Sequence, residues 1–168
     1  MAISMHQAGV HTIQRALNNL IGILEKGAAH CEAKKIDPAV MVASRLYPDM
    51  FPLTKQVQIA SDVAKIGTSR LAGVEAPKWE DNEASFKDLV ERLKKTIAYL
   101  ETLKPEQLEG AESRTIKWQQ QGKDMEQVGK DYLFNRVLPN VFFHCSTAYN
   151  ILRHNGVEIG KGDFLGKM

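Results

Sequence analysis

From Asp131 to Gly156 the chain reads DYLFNRVLPNVFFHCSTAYNILRHNG, and this stretch constrains the fold more than any other. At about 100° per residue, Leu133, Phe134, Val137, Val141, Cys145, Ala148 and Leu152 fall on one broad face. The pattern predicts an amphipathic helix. Its phase runs on across Pro139, so one kinked helix is expected rather than two. Proline carries no amide hydrogen, so the bond to the carbonyl of Asn135 is lost and that turn is crowded. Asn155-Gly156 supplies the stop, with Gly156 as the left-handed residue past the cap. One polar side chain, His144, falls on the shoulder of the buried face, between Ala148 and Ile151.

Three further stripes of the same period precede it. Ser4-Met5-His6-Gln7 fits a capping box. Val10, Ile13, Leu17, Leu20, Ile21, Leu24, Ala28 and Cys31 then predict a helix over about residues 5–33. His6 falls at the centre of that stripe, and His11 and His30 fall off it. Asp37-Pro38 is a good cap and first turn for a short helix ending near Ala43. Pro48 and Pro52 break the pattern, and Pro52 opens a second long helix that ends near Gly73. Its apolar face is Leu53, Val57, Ala60, Val63, Ala64, Gly67 and Leu71, with Gln56 among them. Its expected wet face is Lys55, Gln58, Asp62, Lys65 and Ser69. After a linker, Ser85 with Asp88 resembles a capping pair. Phe86, Leu89, Val90, Leu93, Ile97 and Leu100 form the third stripe, ended by Lys104-Pro105.

Residues 105–129 do not read as helix. Ile116 and Trp118 alternate with polar residues, Gln121-Gly122 suits a turn, and residues 123–128 form a return strand, so a small β-hairpin is expected. In the tail, Phe164 and Leu165 are the expected anchors.

Four long stripes imply an all-α four-helix bundle with a short extra helix and a hairpin, in a single domain over residues 1–168. Residues 74–82, extended at about 3.4 Å each, span roughly the length of a bundle, so the second and third long helices can run parallel. Charge argues against a nucleic-acid partner: 22 basic and 20 acidic residues leave a net charge of only +2, with no basic run. No apolar stretch reaches the roughly 20 residues that cross a bilayer, and no signal peptide is visible, so a cytoplasmic protein is expected. Cys31 and Cys145 fall on apolar faces and read as buried thiols in a reducing compartment.

Several longer runs resemble a bacterial family of unknown function within the DinB/YfiT-like superfamily of metalloenzymes. They are Phe51-Pro52-Leu53 with Gln56 to Ala60, Leu138-Pro139-Asn140 with Phe143-His144 and Thr147 to Tyr149, Ile151 to Val157, and Gly160 to Gly166. The resemblance covers nearly the whole chain. It implies a bundle in up-down-down-up order, commonly a dimer. It also implies a divalent metal such as zinc or nickel, held by one histidine on the second helix and an HxxxH pair on the last. Some relatives are thiol S-transferases. This chain departs from that pattern: the position four after His144 is Ala148, and the second long helix has no histidine.

His144 therefore admits three readings: a core histidine, a polar wall of a small-molecule cavity, or a metal ligand, for which it is the only candidate. Gln56 admits two readings: a buried amide satisfying backbone groups at the Pro48–Pro52 break or, in the helix order that the resemblance implies, a side chain facing the same cavity as His144. Asn140, one turn before His144, would extend the polar strip. His6 is expected at the opposite end. Cys145 points about 100° away from His144, so the two do not form a nucleophile–base pair. Phe142, Phe143 and Tyr149 lie off the core face, either at a homodimer interface or under the Trp118 hairpin. The leading functional expectation is a bundle with a degenerate metal site that binds a small molecule between the second and last long helices. The alternatives are a metal-dependent thiol S-transferase and a non-catalytic dimeric interaction module.

Overall fold

A computed structural model describes residues 3–166. The first long helix starts at Met5, runs through a π-turn at Gln7–His11 and continues as α1, Thr12–Lys34. Helix α2, Pro38–Val42, is capped by the Asp37 carboxylate accepting from the Ala39 amide at 2.9 Å. Helix α3 is Leu53–Ala72, and α4, Phe86–Glu101, is capped by Ser85 with Asp88, as the sequence predicts. A 3-10 turn at Pro105–Leu108 leads to strands β1, Thr115–Gln120, and β2, Lys123–Val128. Helix α5, Gly129–Tyr132, passes through a second π-turn, Leu133–Val137, into α6, Leu138–His154. A last short helix, α7, covers Lys161–Leu165.

Four pairs of contacts fix the directions of the long helices. Ser61 bonds Thr96 and Ser69 bonds Tyr99, so α3 and α4 are parallel. His6 bonds the Leu103 carbonyl while Gly27 faces Phe86, so α1 and α4 are antiparallel. Gln56 bonds His144 and Gly67 faces Val137, so α3 and α6 are antiparallel. Gly9 faces Leu133 and Gly27 faces Leu152, so α1 and α6 are parallel. The order is up-down-down-up. The core between them is lined by Ile13, Leu17, Leu24, Leu53, Val57, Leu89, Leu93, Val141 and Leu152, all fully buried.

The parallel pair requires the long crossover at residues 73–85, and this crossover corrects one expectation. Gln58, Lys65 and Ser69, assigned to the wet face of α3, are buried. The crossover returns along that face. Glu83 accepts from the Gln58 amide at 2.8 Å, and the Trp79 ring lies 4.2 Å from the Lys65 ammonium and 4.6 Å from that of Lys95. Helical period finds the face against the core but not a face covered by a loop.

The last long helix also differs in detail. It is continuous across Pro139, which sits in the first turn of α6. The π-turn just before it takes up the change, with the Leu138 amide bonding the Leu133 carbonyl five residues back. Phe134, placed on the core face by regular 100° steps, is 52% exposed. Gly156 takes the expected left-handed conformation at φ +89°.

The hairpin forms where the sequence places it, with Gln121 and Gly122 both at positive φ, as a tight right-twisting turn demands. Ile116 and Trp118 face inward. Trp118 packs on Tyr132, with ring centroids 5.0 Å apart, and under the Arg136 guanidinium. It does not cover Phe143, which is exposed. The α7 segment, not the hairpin, covers Tyr149 through the ring of Phe164. The Phe164 carbonyl accepts from Asn19 and that of Leu165 from Arg15, while Asp163 pairs with Lys26. Phe164 is thus an anchor, but the Leu165 side chain is half exposed.

Candidate functional site

Pro52 holds extended backbone (φ −69°, ψ 167°) and stops α3 from extending backwards, which puts Gln56 in the first turn of the helix. The Leu53 amide donates to the Ser44 carbonyl, tying this start to the segment after α2. On the facing helix, His144 lies nearly three turns before the end of α6. Antiparallel packing brings the two side chains together. His144 Nδ1 is 2.7 Å from Gln56 Oε1, and Gln56 Nε2 donates to the Phe51 carbonyl at 3.0 Å. Both side chains are buried.

The second of these bonds determines the first. A carbonyl only accepts, so the Gln56 NH₂ must face Phe51 and its oxygen must face His144. The Nδ1 of His144 therefore carries the hydrogen, and Nε2 holds the lone pair. Burial lowers the His144 pKa below the usual histidine value, which favours this neutral form. Among the described residues, the side-chain nitrogen and oxygen atoms sealed from solvent without a partner are Trp118 Nε1 and Gln127 Oε1. His144 Nε2 has no hydrogen-bond partner among the described residues, and it is not fully sealed, in a residue that is 8% exposed. A buried amide that orients an imidazole and leaves its far nitrogen free is an arrangement for accepting a hydrogen bond or holding an ion.

Two residues with exposed aromatic rings contact the pair, Phe143 through its ring and Phe51 through its backbone. Phe143 stands edge-on to the His144 ring at 5.2 Å and is 57% exposed, and Phe51, whose carbonyl anchors Gln56, is 53% exposed. Phe51, named above only within the run that carries the family resemblance, anchors Gln56 through its backbone carbonyl, which no side-chain pattern in the sequence signals. Asn140 is half-buried one turn away on α6 and hydrogen-bonds neither Gln56 nor His144. Five surface cavities of 270–610 Å³ are lined by residues other than Gln56, Asn140 and His144.

The other candidates separate from this pair. His6 bonds Leu103 at the opposite end of the bundle. Cys145 and Cys31 are free and buried, and desolvation pushes the Cys145 thiol up to about 12, which leaves no thiolate at neutral pH. Asp62 pairs with Arg92 and Lys65, not with His144.

A three-imidazole metal site does not fit these residues. The position that would complete HxxxH is Ala148, fully buried, and α3 offers Gln56 where an imidazole is needed. Among the described residues, no group of three His, Cys, Asp or Glu side chains lies close enough together to hold an ion. Amide oxygens are poor substitutes for imidazole at zinc or nickel. No described helix is long and apolar enough to cross a membrane.

Known proteins bear on this arrangement in two ways. Residues 5–165 match the family model described as Domain of unknown function (DUF1993). The chain is also similar to a DinB family member protein from Shewanella denitrificans whose crystal structure is known. The two are 41% identical, the match covers 98% of this chain and 93% of that one, and the TM-score is 0.89. No curated protein matches the chain.

Proposed function

The chain belongs to the DUF1993 family, a domain of unknown function within the DinB-like superfamily, and on that premise we propose a small-molecule-binding bundle that has lost the superfamily's metal site. The ligand sits between the start of α3 and α6, and the protein is a cytoplasmic homodimer. One observation carries the reading: Gln56, fixed by the Phe51 carbonyl, sets the His144 tautomer and leaves Nε2 as a free acceptor. Such a nitrogen recognises a neutral hydrogen-bond donor. Phe51 and Phe143 offer apolar rings for a flat ligand body, and Asn140 supplies a second polar contact. A metal-dependent thiol transferase would need donors that these helices do not carry.

A ¹H–¹⁵N spectrum of the imidazoles tests this directly. At pH 7, His144 is expected as the neutral form protonated at Nδ1. Titration with a panel of phenols and aromatic amides is expected to shift its Nε2 resonance saturably. Gln56→Leu should release the tautomer and abolish the response. If no probe moves Nε2 while the Phe143 signals change with protein concentration, the dimeric interaction module becomes the better reading. The exposure of Phe51 and Phe143 is the observation that favours it.

The same histidine gives a pH dependence. Its folded pKa lies below the unfolded value of about 6.5, so the unfolded chain takes up the proton first as pH falls. The stability tied to neutral His144 is complete above that value and is lost as pH drops towards the folded pKa. Urea midpoints measured from pH 7.5 to 5 should fall more steeply in the wild type than in His144→Gln. Parallel slopes would show that His144 titrates as it does in the unfolded chain.

A further inference from the structure

His6 and His11 lie at the end of the bundle away from His144. In a regular helix, residues five apart point about 140° from one another. The π-turn Gln7–His11 removes that divergence and brings the rings together, with centroids 4.9 Å apart and planes at 81°. His6 Nε2 is 2.9 Å from the Leu103 carbonyl oxygen, which only accepts. That nitrogen therefore carries the hydrogen, and Nδ1 keeps its lone pair. His11 is exposed, with its ring open to solvent.

We propose that His6 and His11 form a two-imidazole site for a late first-row divalent cation, with water completing the coordination. The spacing fits. A metal–nitrogen bond of about 2.1 Å puts the metal about 3.2 Å from the ring centroid, so two imidazoles on one ion at roughly 90–109° have centroids about 4.6–5.3 Å apart. The donor type selects copper, nickel or zinc over magnesium or calcium, which prefer oxygen. The positive end of the first helix opposes a cation. The turn just past the C-terminal end of the antiparallel α4 offsets it by bringing the Leu103 carbonyl to His6. Among the described residues no third His, Cys, Asp or Glu joins the pair, so the site is an exchangeable one and not a permanent structural centre. It shares no residue with the His144 site.

The test uses the untagged full chain, titrated with Zn²⁺ by ¹H–¹⁵N imidazole spectroscopy and with Ni²⁺ by calorimetry. The expected result is one equivalent bound, with the His6 and His11 rings shifting and that of His144 unmoved. Losing an outer-shell partner alone costs about 10- to 100-fold in metal affinity, so His11→Ala, which removes a ligand, is expected to weaken binding at least tenfold. His11 is exposed and the variant should fold as the wild type does; His11→Gln serves as a second variant. His30→Ala should bind as the wild type does. Unmoved His6 and His11 rings at millimolar Zn²⁺, or equal Ni²⁺ affinity in wild type and His11→Ala, would overturn the proposal. A response of His144 instead would overturn both this site and the metal-free reading of the other.

Discussion

Gly129→Ala is expected to cost at least about 3 kcal/mol in urea denaturation, or to prevent folding altogether. Gly129 joins β2 to α5, and its φ is not positive, so conformation does not demand glycine there. Space does: a Cβ would fall on the carbonyl oxygen of Ala111. Overpacking costs about 1–3 kcal/mol where side chains can yield. Here the obstacle is backbone, and that backbone is tied on both sides. The Gly129 amide donates to the Arg114 carbonyl at 2.8 Å and the Lys130 amide to Glu112 at 3.1 Å, while Arg114 reaches the Leu71 carbonyl at the end of α3. Relief of the clash would pull the hairpin and the start of the last long helix away from α3 together. Gly22→Ala is the contrast. It lies inside α1 with nothing near its would-be Cβ, and it should gain up to about 1 kcal/mol from helix propensity. Wild-type stability in Gly129→Ala would show that the 111–114 segment does not pack on α5 as described.

The bundle was legible because burial against a core imposes the helical period. Leu133, Val137, Val141 and Leu152 repeat at that spacing, and Ser85, Asp37 and Gly156 mark ends by their own chemistry. The meeting of Gln56 with His144 was legible for a related reason. Both polar residues interrupt apolar faces, and the family resemblance supplied the helix order that opposes them. What stayed hidden depends on hydrogen bonds that leave no periodic trace. The π-turns before Thr12 and Leu138 each shift a helix by one residue, which exposes Phe134 and turns His11 towards His6. The Gln56 bond to Phe51 is likewise backbone geometry, and it alone decides which imidazole nitrogen is free. The burial of Lys65 and Gln58 depended on where a charged, irregular crossover would settle. Trp79, a large ring among charged linker residues, was the one signal that the crossover packs on something.

That crossover is held by Arg92, and Arg92→Leu is expected to lose about 3 kcal/mol. The Arg92 side chain is only 2% exposed. Its Nε donates to Ser61 Oγ at 3.1 Å. One terminal nitrogen donates to Asp62 at 2.9 Å, and the other reaches the Glu80 carbonyl, Asp81 and Glu83. Removing one partner of a buried ion pair costs about 3–5 kcal/mol because the other charge stays uncompensated. The lower end applies here, since Asp62 and Asp81 are about one-third exposed and can rehydrate, whereas Glu83 is largely buried. Lysine restores the charge but not the planar fork that serves α3 and the crossover at once, so Arg92→Lys should recover less than half of the loss. Acid supplies an independent check. Burial alone would raise the Asp81 carboxyl, but its bonds to Lys55 and Arg92 outweigh this and hold it below the usual carboxylate value. Stability from that group is present above the unfolded value of about 3.9 and is lost as pH falls through the folded one. The gap between wild type and Arg92→Leu should therefore be widest at neutral pH and narrow at pH 3. Trypsin should also cut the variant faster at Lys78, within the released crossover. A variant within about 0.5 kcal/mol of wild type, with unchanged cleavage at Lys78, would mean that the apolar contacts of α3 and α4 hold the parallel pair without the Arg92 cluster.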